Sequence, residues 1–159
     1  MKILSILFAV FFINTTSENI TVENIRDAYK VCNQSREHAD KFFELTEKAT
    51  ENKGAIYLGY YGAALALKAS YSWNPISKMS YFNKARKTID AAIQAEPDNI
   101  ELRMIRSSIQ TNVPKILGYH KNIEEDRDFI LNNLENVDTT ALKEYIEGYI
   151  EYSDVFSKP

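Results

Sequence analysis

Residues 90–106 read DAAIQAEPDNIELRMIR, and the fold turns on them. Apolar residues recur every three or four positions up to Ala95, the spacing of one helix face. Pro97 cannot continue that helix, and Glu96 before it is biased toward extended geometry. Asp98 is then placed to cap a second helix, with Glu101 three residues later completing a capping box. The stretch reads as a sharp corner between two helices.

Working outward, the helix before this corner starts at Asn74-Pro75, a cap followed by proline in the first turn. Met79, Phe82, Ala85, Ile89, Ala92 and Ile93 fall on one of its faces. The segment before it, from Ala55 to about Tyr71, is apolar on nearly every side and belongs at the centre of a bundle. Its Gly59 and Gly62 each cost about 1 kcal/mol of helix propensity against Ala, which close packing has to offset. From Thr21 to about Ala49, apolar residues including Ile25, Tyr29, Cys32, Ala39 and Phe42 keep a helical period, predicting one long helix with Thr21 as its cap.

After the corner, a helix to about Gln110 stops at Asn112-Val113-Pro114. Asn122 and Glu125 then form a second capping box, opening a helix that buries Ile123, Ile130 and Leu134. A last helix places Leu142, Tyr145, Ile146, Tyr149 and Ile150 on one side. The expected fold is all-α: antiparallel helical hairpins in a bundle or short solenoid, with about five or six helices.

Composition narrows the function classes. The 159 residues suit one domain, and 45% hydrophobic with 26% charged residues is globular rather than disordered. Met1-Lys2, the apolar run 3–13 and the polar exit 14–17 have the order of a secretory signal peptide. Residues 1–17 are read as that signal and 18–159 as one mature helical domain, secreted or periplasmic. The uncharged run 54–67 is too short for a membrane span. Cys32 is the single cysteine, so it has no partner for an intramolecular disulfide. Its place on an apolar face points to a buried, inert thiol. Asn14, Asn19 and Asn33 begin Asn-x-Ser/Thr sites, which matter only in a host that glycosylates secreted proteins. A net charge of −3 argues against nucleic acid as a partner. The basic residues Lys78, Lys84, Arg86 and Lys87 read as a solvated helix face.

Ala85, Ile89, Ala92 and Pro97, with Leu58-Gly59 before them, resemble the small–large–small–proline pattern of a tetratricopeptide (TPR) repeat. The resemblance covers a hairpin at about 55–97. It departs from the 34-residue period, with no Trp three residues before Leu58 and Gly62 where the family prefers Tyr. The chain is also similar to short secreted helical proteins of bacteria. The TPR resemblance implies a scaffold that holds a peptide or partner protein in a helical groove.

No nucleophile elbow, phosphate loop, dinucleotide fingerprint or H-E-x-x-H helix occurs. One cysteine and two histidines do not assemble a common zinc site, and no cofactor is implied. His120 and Glu124 share a helical interval, but the helix start at Asn122 falls between them, so His120 reads as a surface residue near a turn. The candidate binding residues are Asn99, Arg103, Arg106 and Gln110, spaced by four, three and four on one helix face. Arginine there suits a peptide carboxylate, which its planar donors meet bidentately. The plain alternative is the wet side of an amphipathic helix. The expected function is an exported, non-enzymatic helical binding protein. The alternatives are an enzyme with an unfamiliar helical active site, or a structural subunit self-associating through its Tyr-rich C-terminal helix.

Overall fold

The computed structural model describes residues 20–157, so the signal-peptide reading of residues 1–17 lies outside the described residues. Those residues form eight α-helices and no strand: α1 Val22–Val31, α2 Arg36–Ala49, α3 Ala55–Tyr71, α4 Pro75–Ala95, α5 Ile100–Asn112, α6 Ile123–Asn133, α7 Thr140–Tyr152 and α8 Asp154–Ser157. Two short 3₁₀ turns, Lys115–Leu117 and Leu134–Asn136, precede and follow α6.

The count exceeds the five or six helices expected, for two reasons. The long helix expected over 21–49 is broken at residues 32–35. Its apolar period lapses between Cys32 and Ala39, and Ser35 starts a new helix by accepting the His38 N–H at 3.2 Å. The short α8 carries too few residues to show a period.

Helix ends follow local chemistry. Thr21 and Asn24 form a reciprocal capping box on α1. Asn74 accepts from the Ile76 and Ser77 amides at 2.8 and 3.2 Å, with Pro75 at the first helical position. The α3 start lacks a side-chain cap; Gly54 holds φ 136°, a backbone region that favours glycine. The Ala55 amide instead donates to Glu96 Oε1 at 3.1 Å, across from the α4 end.

Both capping boxes read from the sequence need correction. The cap of α5 is Asn99, which accepts from Glu101 and Leu102 amides at 3.1 and 3.2 Å. Asp98 sits one residue too early, and the Glu101 side chain is turned inward. At α6, Asn122 is the capping residue but accepts no backbone amide; its amide group donates to Glu125 Oε2 at 2.9 Å.

α3 lies at the centre, against α1, α2, α4 and α5. A Cβ on Gly59 would stand 2.3 Å from Leu102 of α5, and one on Gly62 would stand 2.4 Å from Ile89 of α4. These glycines let two neighbours approach at once, which offsets their propensity cost. Phe82, Ala85, Ile89, Ala92 and Ile93 face α3 and are buried, whereas Met79 of the same expected face is 45% exposed. The core ends one turn before it. Among the described residues no helix is long and apolar enough to cross a membrane.

Candidate functional site

α5 supplies both sides of the polar architecture. In its first turn Glu101 is 3% exposed. Arg26 of α1 reaches it bidentately, Nε to Oε1 and Nη2 to Oε2, each at 2.7 Å. Tyr60 of α3 donates a short hydrogen bond to Glu101 Oε1, and its hydroxyl lies 3.3 Å from that of Tyr145 on α7. The Glu101 carboxylate therefore ties α1 and α3 to α5, and Tyr60 extends the network to α7. The Glu101 hydrogen bonds hold the Arg26 guanidinium above its ordinary value, against the effect of burial. Burial pushes the Tyr60 and Tyr145 hydroxyls up, so both stay protonated donors.

On the other side, the residues singled out in the sequence do converge. Arg106 pairs bidentately with Asp126 of α6, Nε to Oδ2 at 2.7 Å and Nη2 to Oδ1 at 2.6 Å. Arg103 Nη1 reaches Glu125 at 2.7 Å and Asp126 at 3.1 Å, while its Nε and Nη2 donate to the Pro97 carbonyl. Burial is the largest influence on Arg106 and works against its charge, but the Asp126 hydrogen bonds together with the charges of Asp126 and Glu125 outweigh it and its value is raised. Gln110 is fully buried; its Nε2 is 3.4 Å from Asn122 Oδ1, and its Oε1 has no partner. This face is covered by α6, so it is not an open groove. Asn99, at its N-terminal end, caps α5 and donates to Glu96 Oε2 at 2.8 Å.

The open concavity lies at that same end, between α1, the start of α5 and the α6–α7 connection. It is a cleft of about 470 Å³. Val22, Ile56, Ile100, Val137 and Leu142 supply its apolar lining, and Arg26 and Glu101 also line it. Asn99, Asn133 and Asn136 add amides, and Glu23, Asp98 and Asp138 add carboxylates. Arg26 is the only cation among the residues lining it, and Glu101 already balances that charge. The net field in the cleft is negative, from the three remaining carboxylates. Asn99 is the one sequence-chosen residue that lines it.

Arg26, Glu101, Asp98 and Asp138 were not among the residues chosen from the sequence. Arg26 and Glu101 are 75 positions apart, and no local spacing announces such a pair. The only available signal was that Asp98 and Asn99 are both capping residue types and only one of them can cap α5.

Other expected features find simple places. Cys32 is buried, and burial pushes its thiol up to about 12, the behaviour of an unreactive sulfur. His120 Nε2 lies 3.0 Å from the Val113 carbonyl. His38 is exposed at the start of α2, its Nδ1 2.8 Å from Ser35 Oγ.

Comparison with known proteins gives no matching family model, no matching curated protein and no matching solved structure. The reading of the site therefore rests on its own chemistry.

Proposed function

We propose that this chain is an exported, non-enzymatic helical scaffold that binds a short segment of a partner protein in the α1/α5/α7 cleft. The carrying observation is the cleft's composition: five apolar side chains set among Glu23, Asp98 and Asp138, with Arg26 as the one lining cation, shared between Glu101 at 2.7 Å and Glu23 at 3.4 Å, so that the lining stays net negative. Such a surface takes an aliphatic side chain flanked by Lys or Arg, with the asparagine amides meeting its backbone. The tyrosine-backed Arg26–Glu101 pair holds the wall in place, so little ordering is needed on binding. Asn99 stays in the proposed site as a lining residue; Arg103, Arg106 and Gln110 support it by fixing α5 against α6.

Export is supported by the basic-apolar-polar order of residues 1–17. The TPR-like reading of 55–97 is supported by the α3–α4 pairing, in which Ala85 and Ile89 of the repeat-like pattern pack against α3, although they meet it at Gly62, where the family prefers Tyr.

The test is a methyl-NMR titration with two decapeptides, one Leu- and Lys-rich and one Leu- and Glu-rich. Expected are shifts at Val22, Ile56 and Leu142 with the basic peptide. Asp98→Lys/Asp138→Lys should weaken that binding about tenfold, as reversal of rim charge does. Equal binding of the acidic peptide, or shifts confined to Ile109 and Ile130 by the Arg106 pair, would refute the cleft as the site.

A further inference from the structure

The turn between α3 and α4 presents apolar side chains where none is needed for folding. Trp73 is 92% exposed, Ile76 81% and Met79 45%. Ile76 and Met79 lie one turn apart at the start of α4, and Trp73 stands in the turn just before its Asn74 cap, so the three make an exposed apolar ridge at this end of the hairpin. The ridge leads toward Phe82, where burial begins. Single exposed apolar residues are ordinary, but a contiguous ridge with a protruding Trp marks an interaction surface.

The charge around this ridge is one-sided. Residues 52–89 contain six Lys and Arg and no Asp or Glu, leaving the other 13 of 19 basic residues against all 22 acidic ones. Asp40 of α2 engages Lys68 at 2.9 Å. Lys78, Lys84, Arg86 and Lys87 make no ion pair among the described residues. Lys78 borders the same shallow hollow as Trp73, with Ser70, Tyr71 and Ser72. Lys84 lies over the Tyr61 ring and donates to its hydroxyl at 3.1 Å. It sits eight residues beyond Ile76, about 12 Å along the helix axis.

An indole and an aliphatic side chain at a protruding tip, with unpaired lysines set behind them, match a bilayer interface. The apolar groups enter the headgroup–acyl boundary while the ammonium groups meet lipid phosphates. We infer that the α3–α4 turn docks the protein onto anionic lipid surfaces, with Trp73 and Ile76 inserted and Lys78 and Lys84 facing the headgroups. This surface is separate from the cleft and does not depend on what the cleft binds. The lipid source is favoured over an acidic protein because the ridge protrudes at a tip, where it enters a fluid layer more readily than it builds a wide interface.

Trp73 is the only tryptophan in the chain and reports its own environment. The experiment adds vesicles of phosphatidylcholine alone, or of phosphatidylcholine with phosphatidylglycerol, to the full chain and reads Trp fluorescence. Expected is a blue shift with quenching by brominated acyl chains, at least about tenfold stronger on anionic than neutral vesicles, and weakened by added salt. Lys78→Glu/Lys84→Glu, with an unchanged circular dichroism spectrum, should lose about tenfold in lipid affinity; the shared N-terminal segment cancels in that comparison. No shift, equal shifts on both vesicles, or indifference to charge reversal overturns the inference. A shift produced equally by a poly-glutamate peptide also overturns it and assigns the tip to an acidic protein partner.

Discussion

The two seams of α5 are closed by different physics. Toward α3, Leu102 and Ile105 are fully buried against the backbone of Gly59, and fit is set by the absence of a side chain. Toward α6, Arg103 and Arg106 meet Asp126, which is itself fully buried, and fit is set by matched charge and hydrogen-bond geometry. An apolar seam tolerates a lost atom by leaving a small gap. An ionic seam does not tolerate a lost partner, because the remaining charge stays out of water.

Breaking the ionic seam should give the largest effect. Asp126→Ala leaves two arginines facing it without their shared carboxylate, at a cost of about 3–5 kcal/mol in unfolding free energy by urea titration. Overfilling an apolar seam comes next. Gly62→Leu pushes against Ile89 Cγ1 and the Ala85 carbonyl, which lies 3.3 Å from an added Cβ, and should cost about 1–3 kcal/mol or more. Gly59→Ala sharpens the contrast, since its added methyl clashes with the end of the Leu102 side chain alone and meets Ile105 Cδ1 at an ordinary 3.5 Å. A rotamer change there and the helix-propensity gain of about 1 kcal/mol should leave it near neutral.

The buried tyrosines predict an alkaline limit. Burial raises the hydroxyls of Tyr29, Tyr60, Tyr119, Tyr145 and Tyr149 above their ordinary 10.0. Their contribution to stability is complete below that value and is lost as pH rises toward their folded-state values. Absorbance at 295 nm should therefore show these five tyrosines ionising only as the helices unfold. Ionisation of these five at the ordinary tyrosine value of 10.0, without unfolding, would contradict the packing.

The smallest effect belongs to Glu125. Hydrogen bonds from Asn122 and then Arg103 lower its value below 4.5. Its stabilisation is present above that ordinary value and fades as pH falls through the lower folded one. Because Glu125 is 57% exposed, Glu125→Gln should flatten the acid limb of the stability curve by no more than about 0.5 kcal/mol.

The apolar seams were legible in the sequence and the ionic ones were not. Gly59, Gly62, Ile89 and Ala92 declare a central helix hairpin through local period, and Asn74-Pro75 declares its corner. Arg103 and Arg106 showed as one polar face, but a face pattern is silent on whether water or α6 covers it. Asp126, twenty residues beyond Arg106, stands in the first turn of α6, where negative charge is favourable whether or not it is buried. Glu101 misled in the same way: a capping box is a local motif, and its side chain answered Arg26 instead. The break at Ser35 showed only as a lapse in the apolar period over residues 33–38, which the apolar inner faces of both flanking helices bridge into one apparent repeat.

The most direct test of the ionic seam is a double-mutant cycle on Arg106→Met and Asp126→Leu, read by urea unfolding. Expected are two destabilised single variants, a double variant close to the unmodified protein in stability, and a coupling of about 3 kcal/mol. Additive effects, with coupling below about 0.5 kcal/mol, would mean that the two side chains do not hold α5 and α6 together.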